Sequence, residues 1–419
     1  MSKRVLILFP VLLFVLIRQI YTNLTGINRD LLTAALISSL AVFALVSFEL
    51  RIRRVRHDFL ILDVLNLVQF HLAGVAVYLY FIAGRIGSNQ AIAAGYYNCI
   101  APFLMYSGFL LRQFSSLTKR AALVALGCAY LVTSCVAICE SLGIEFWLFQ
   151  YDRWLLQKNY LGIARASGLY GTQIDYGFLS FLAFTIAFYC NARRRHWFTV
   201  LVMVCAAVGV LLSMSRIWLA ALLVIVFAHA VRAQSLKNKL KAGLIIVIMG
   251  ALLYGVADRV GLIGMLQATD EITQGSNEGH WAYYRDAPRW LSQYMFVGTG
   301  PGTQNGPDDV RDVKFITDFL WLGTLVEFGA FPGIVLVLCR LTTILVILSR
   351  SYRARSEDPL RAITIALCIT FVAASFFDSA YAHLVSIAAF YITCGLFLES
   401  LPPHRVVTRA DYRPQVQPA

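Results

Sequence analysis

The sequence predicts an all-α fold: a polytopic membrane helical bundle of about 12 transmembrane helices, with one long outer loop between spans 9 and 10. Three observations predict it. Hydrophobic residues make up 59% of the chain and charged residues 14%, with mean hydropathy +0.68, a balance from which no soluble surface can be built. Apolar stretches recur at 5–21, 31–50, 59–84, 91–111, 121–143, 172–190, 197–214, 217–231, 240–257, 318–339, 362–380 and 382–401. Most are near the ~20 residues a bilayer demands. Finally, Arg and Lys cluster in alternate loops: RIRRVRH (51–57), RQFSSLTKR (112–120), RRR (193–195), RAQSLKNKLK (232–241), RSYRAR (350–355) and the tail. That alternation assigns those loops and both termini to the cytoplasm, and Lys3, Arg4, Arg340 and Arg361 are read with the same set. The +13 net charge is explained by this topology and by anionic headgroups, so it gives no support for nucleic-acid binding.

The elements follow in chain order within a single integral membrane domain, 1–419. The first span starts on Lys-Arg and lacks a small-residue cleavage site, so it reads as a retained signal anchor. Asp63, Asn66 and Gln69 make a polar stripe on the third span, which interhelical hydrogen bonding explains. Residues 144–171 mix Trp147, Tyr151, Trp154 and Tyr160 with Asp152, Arg153 and Lys158, which suits an outer interfacial segment in the headgroup layer. It delivers Arg165 to the mouth of the next helix. SMSRIW, between spans seven and eight, is so short a turn that Arg216 stays at the membrane surface.

Residues 258–317 form the long outer loop. SNEGHWAYYRDAPRWLSQYMFVGTGPGTQ (276–304) carries Arg285 and Arg289 at helical spacing, then breaks at Gly298, Gly300, Pro301 and Gly302. The span that follows starts at Asp318 and has apolar character as far as Ser349. The nine cysteines fall in spans or at their edges with no CxxC pair, so neither disulfides nor a metal site is expected.

Arg165, Arg216, Arg285 and Asp318 share one outer level in this topology. An isolated arginine at a helix centre costs roughly 2.5–3.5 kcal/mol on insertion scales. A group of them at the rim costs less and can bind an anion, because a guanidinium presents a planar fork of donors matched to phosphate oxygens. Each residue also has a plainer reading. A lone arginine snorkels to headgroups, Arg289 is a solvated or acid-paired helical residue, and Asp318 caps the helix it precedes. His280 and His383 are ordinary loop and helix-end histidines, although His280 is an alternative base beside Arg285. The three glycines suggest either a phosphate cradle or a tight turn, and without a GK[ST] sequence the turn is favoured. Asp308, Asp309 and Asp312 read as a solvated acidic loop rather than a cation site.

Four pieces of sequence resemble the O-antigen ligase and O-antigen polymerase superfamily of bacterial inner-membrane glycosyltransferases. They are ARASGLYGT with Arg165, SMSR with Arg216, RDAPRWLSQYMFVGTGPG, and TDFLWLGTLVEFGAFPG, all within about 160–335. Family ligases place a histidine followed by a small polar residue eleven positions before the glycine of the last piece. Counting back from Gly329 gives Asp318, followed by Phe319, and an acid there resembles the polymerase branch.

The resemblance implies a multi-pass protein of the bacterial inner membrane, with loop 258–317 in the periplasm. It implies a glycan donor on undecaprenyl diphosphate, a second lipid-linked repeat unit as acceptor, no cofactor and no metal. Membrane lipids, a chain-length regulator and other polysaccharide assembly proteins are the implied partners. On this reading Arg216 and Arg285 hold the diphosphate, Arg165 and Arg289 support binding, and Asp318 takes the proton of the acceptor hydroxyl. Polymerisation for O-antigen, exopolysaccharide or capsule is favoured over ligation of finished glycan to lipid A core. A lipid or oligosaccharide transporter is the competing class, although transporters carry midplane charges and inverted repeats that this sequence does not display.

Overall fold

The computed structural model describes residues 29–53, 59–112, 116–142, 144, 166–168, 173–193, 196–213, 215–232, 285, 288–289, 291–303, 320–353, 359–375 and 384–400. The described residues are helical with no strand. In chain order their α-helices are α1 (Arg29–Arg53), α2 (Leu60–Ile82), α3 (Ser88–Gly95), α4 (Ser107–Arg112), α5 (Ser116–Ser141), α6 (Gln173–Arg193), α7 (Trp197–Leu212), α8 (Arg216–Arg232), α9 (Leu320–Phe328), α10 (Ala330–Arg353), α11 (Pro359–Ala374) and α12 (Leu384–Ser400). Three, over Ala34–Arg53, Leu60–Ile82 and Ala330–Arg353, are long and apolar enough to cross a membrane by length and composition.

These twelve helices are not the twelve expected spans. The stretches 5–21 and 240–257 lie outside the described residues, as does most of 144–171 and 258–317. Eight of the remaining ten are single helices, and two are broken.

The stretch expected at 91–111 is the first broken one. It runs through α3, a π turn over Tyr96–Ile100, a 3-10 turn over Ala101–Tyr106 and then α4. Pro102 supplies the reason: it has no N–H to give the carbonyl four residues earlier, and its ring crowds that carbonyl. The carbonyl is that of Asn98, and it accepts instead from Gln69 Nε2 of α2 at 2.9 Å. A helix that loses an internal bond thus gains an interhelical one.

The second break is at Gly329, where φ of +82° ends α9 in the left-handed region that glycine adopts without penalty. The expected span 318–339 is therefore not one helix. Instead, α9 folds back along α10: a Cβ placed on Gly333 would lie 2.8 Å from Leu325 Cα, and Arg340 Nη1 donates to Thr324 Oγ1 at 3.2 Å. Nine residues of helix are ~13 Å long, so Leu320 sits up to about that far from the hinge, toward the middle of the bundle. There its N–H donates to the carbonyl of Ser375, at the end of α11, at 3.1 Å.

The polar stripe on α2 does what the sequence suggests. Asp63 accepts from Arg51 of α1 at 2.7 Å and from Tyr106 Oη at 2.9 Å, while Asn66 donates to Tyr106 Oη at 3.0 Å. The buried Arg51 guanidinium also lies 5.1 Å from the Phe59 ring and 5.7 Å from that of Phe109. Elsewhere, aromatic packing fixes the helices, with Trp218 of α8 fully buried between Phe178 and Phe181 of α6.

Two arginines assigned to the cytoplasmic set separate here. Arg361 caps the end of α10, its Nε donating to the Ser351 carbonyl at 2.7 Å and its Nη2 to that of Tyr352 at 3.2 Å, as a basic group at a helix C-terminus should. Arg340 belongs to no loop. It is the eleventh residue of the 24-residue α10, and it is buried. Counting it as a topology arginine was wrong, because RSYRAR already ends the span at Arg353 and leaves Arg340 within it.

Candidate functional site

Two of the pieces that carry arginines come together at the helix ends that the basic loops assign to the outside, and the piece with Arg285 and Arg289 packs elsewhere, against α2, α3 and α9. Glu140, near the end of α5, is the local organiser. Its Oε2 accepts from the backbone N–H of Ser167 and of Gly168, both at 2.9 Å. Held this way, the segment 166–168 lies against the end of α7, where Ala166 N–H donates to the Leu212 carbonyl at 3.1 Å. The chain then turns through Ser213, whose Oγ donates to the Val210 carbonyl at 2.7 Å, and α8 begins at Arg216. The ARASG piece is thus bonded to the residue that precedes SMSR. Arg165 itself lies outside the described residues, and for Arg216 the structure describes the backbone only. On the same face, Ser386 of α12 donates to Asp175 Oδ1, at the start of α6, at 2.6 Å.

Arg285 and Arg289 are both helical and exposed, on the stretch that leads into the glycine turn. Ser292 Oγ donates to the Arg289 carbonyl at 2.7 Å, continuing that local helical course. Asp318 and His280 lie outside the described residues, as do His383, Asp308, Asp309 and Asp312.

The glycine turn is placed fully, and it is a clasp. Thr299 N–H donates to the Val326 carbonyl at 2.9 Å, Gly300 N–H to that of Glu327 at 3.1 Å, and Ala330 N–H to that of Met295 at 2.8 Å. Tyr80 Oη of α2 donates to the Gly298 carbonyl at 3.0 Å. A Cβ on Gly298 would lie 2.1 Å from the Glu327 carbonyl oxygen, and one on Gly302 would lie 2.7 Å from that of Gln90. The glycines permit backbone to approach backbone. The N–H groups of Thr299 and Gly300 are already committed to carbonyls, so neither is available to a phosphate, and the turn reading holds over the phosphate-cradle reading.

Set against known proteins, the sequence gives one family match. Residues 201–338 match the O-antigen ligase family model. The O-antigen ligase and polymerase superfamily that the motifs resemble is thereby supported, over the stretch from within α7 to within α10. The matched O-antigen ligase region contains Arg216, His280, Arg285, Arg289 and Asp318, but neither Arg165 nor Arg340. Members of the family are glycosyl-transferring enzymes of glycan assembly, and a membrane protein of that kind accords with the apolar helices. No curated protein matches the chain.

The motifs missed one group of this O-antigen ligase-like chain, the buried polar cluster under α9. Arg340 Nη2 donates to Asn98 Oδ1, Asn98 Nδ2 donates to the Ala94 carbonyl at 2.9 Å, and Thr324 Oγ1 donates to the Leu320 carbonyl at 2.7 Å. Glu327 and Tyr391, both buried, lie within electrostatic reach of the guanidinium. An arginine at a helix centre carries a cost of roughly 2.5–3.5 kcal/mol on insertion scales, which such partners must offset. The signal was present in the sequence: Arg340 is a lone cation ten residues before the basic run that ends its helix.

Proposed function

We propose that the chain polymerises undecaprenyl-diphosphate-linked glycan repeat units at the periplasmic face of the bacterial inner membrane, with both termini in the cytoplasm. The O-antigen ligase match over 201–338 supports the glycosyl-transfer part of this reading and contains Arg216, Arg285, Arg289 and Asp318, while the choice of polymerisation rests on Asp318 alone. A hydroxyl of the acceptor sugar attacks the anomeric carbon of the donor. The new C–O bond forms as the bond to the lipid diphosphate breaks, the electron pair leaves with the diphosphate, and the hydroxyl proton passes to the carboxylate of Asp318. Charge grows on the departing oxygens, and Arg216 and Arg285 stabilise it as fixed donors without solvent reorganisation. Arg165 and Arg289 add binding contacts. The step as written needs neither metal nor cofactor.

The test is conversion of purified lipid-linked repeat units to longer chains by the purified protein. New glycosidic bonds are expected; movement of the substrate between leaflets without them identifies a transporter. Arg285→Ala is expected to abolish polymer while the protein remains in the membrane, and wild-type chain lengths in that variant reject its role.

Ligation of finished glycan is the second reading, and the family match accommodates it equally. Asp318 in place of the ligase histidine favours polymerisation. The lipid-linked species that accumulates without the protein separates them. A single repeat unit on its carrier means polymerase, and finished polymer stranded on its carrier means ligase.

A further inference from the structure

We propose that Arg340 is a positioning residue: its guanidinium bridges Thr324 and Asn98, seats the folded-back helix α9, and so fixes the clasp and the chain that lead into the reaction site. The proposal rests on the glycosyl-transfer reading for its kinetic consequence, but its structural half stands alone.

The geometry is that of a fork. One arm of the guanidinium, Nη1, reaches Thr324 on α9 at 3.2 Å, and the other, Nη2, reaches Asn98 in the π turn. Asn98 is fixed in turn by α2, because Gln69 donates to its carbonyl at 2.9 Å. The cation therefore links α9 to α2 and to the π turn through α10. Helix α9 has only 9 residues, too few for a helix to hold its place by its own hydrogen bonds. Both of its ends matter to the site. Its last carbonyls, of Val326 and Glu327, anchor Thr299 and Gly300 of the clasp. Its first residue, Leu320, is hydrogen-bonded to Ser375 and follows Asp318 by two positions in sequence.

A residue used only for packing would not need this chemistry. A charged group at mid-helix is costly to insert, and an apolar residue of similar volume packs the same space without that cost. Lysine is the informative replacement, because it keeps the charge but has no planar fork and cannot make both contacts in the same geometry. The π turn points the same way, since such turns recur at functional sites.

The experiment compares Arg340→Lys, Arg340→Met and Thr324→Val with the wild type, each as purified full chain. Two readouts are taken: hydrogen exchange along the chain, and the kinetics of chain extension on lipid-linked repeat units. For Arg340→Lys we expect faster exchange confined to 298–303 and 320–328, with 166–168 and 213–232 unchanged. We also expect kcat lower by roughly tenfold to hundredfold at unchanged KM, the size of effect that small displacements of reacting groups produce. Thr324→Val should give the same pattern at smaller amplitude, so the proposal stays testable if Arg340→Met does not fold. Unchanged exchange in α9, or exchange raised evenly over the whole chain, overturns it. Raised KM at unchanged kcat also overturns it, because the guanidinium would then hold substrate rather than α9. If the wild type forms no glycosidic bond, the reading of its function fails and the exchange data alone decide the role of Arg340.

Discussion

Replacing Gly298 by alanine puts a methyl group onto the backbone of the α9–α10 hinge. Its Cβ would lie 2.1 Å from the Glu327 carbonyl oxygen, 2.4 Å from the carbon of that carbonyl and 2.5 Å from Gly329 N. None of these atoms belongs to a side chain that can rotate away, so the clasp must move. It is held by the bonds Thr299–Val326, Gly300–Glu327, Met295–Ala330 and Tyr80–Gly298. At ~0.5–1.5 kcal/mol net for each, complete loss costs roughly 2–6 kcal/mol. A shifted turn recovers part of that bonding, and overpacking by one methyl typically costs ~1–3 kcal/mol. The expected loss is therefore about 2–3 kcal/mol, concentrated in the clasp. The assay is thermal unfolding of the purified protein together with limited proteolysis, reading new cleavage within 291–303. Gly95→Ala is the control, because Gly95 has helical φ of −60° and nothing within 4 Å of its Cβ position. The reasoning is refuted if Gly298→Ala melts and resists protease as Gly95→Ala does.

Two further substitutions probe the frame around the site. Removing one partner of the Arg51–Asp63 pair, as Arg51→Met or Asp63→Leu, removes a charge-assisted hydrogen bond and should cost about 1.5–3 kcal/mol, whereas the double variant should recover part of it; a double-mutant cycle on melting temperature checks this, and equal additive losses would contradict it. Glu140→Ala should loosen 166–168 and lower polymer formed per folded molecule, with Glu140→Gln milder because an amide oxygen still accepts from one of the two N–H groups. Chain-extension assays normalised to monodisperse protein decide that case, and wild-type output from Glu140→Ala would remove Glu140 from the site.

The helical frame was legible because hydropathy marks the apolar segments, and eight of the ten expected stretches within the described residues are single helices. Even the stripe on α2 read correctly, since polar residues at helical spacing in a span must find partners on a neighbouring helix. What could not be read is where a span breaks. Pro102 is visible in the sequence, but the relief of its effect depends on Gln69, thirty-three positions away and on another helix. Gly329 looked like one small residue in a long apolar run. Its role as a hinge depends on Gly333 letting Leu325 approach, a contact that periodicity does not encode. Arg340 was misassigned for the same reason: a basic residue near a basic loop counts toward topology until the helix is seen to continue for thirteen residues beyond it.

The candidate site was named from residue types, and its arrangement could not be read because its pieces are placed by turns rather than by helix faces. The glycine turn shows the difference. As a string, GTGPG allows a phosphate loop but favours a tight turn; as a structure, it is the turn, with the N–H groups of Thr299 and Gly300 facing the carbonyls of α9. An amide already bonded to a backbone carbonyl must break that bond before it can receive an anion, which forfeits most of what the anion contact returns. On the proposed reading, recognition of a diphosphate would fall to side chains on the segments that the turns hold. Arginine suits that task, since its fork keeps both charge and direction when the supporting backbone is fixed. The tight turn that the sequence favours is thus a backbone clamp, and the residues from Met295 to Gly300 are what it fixes.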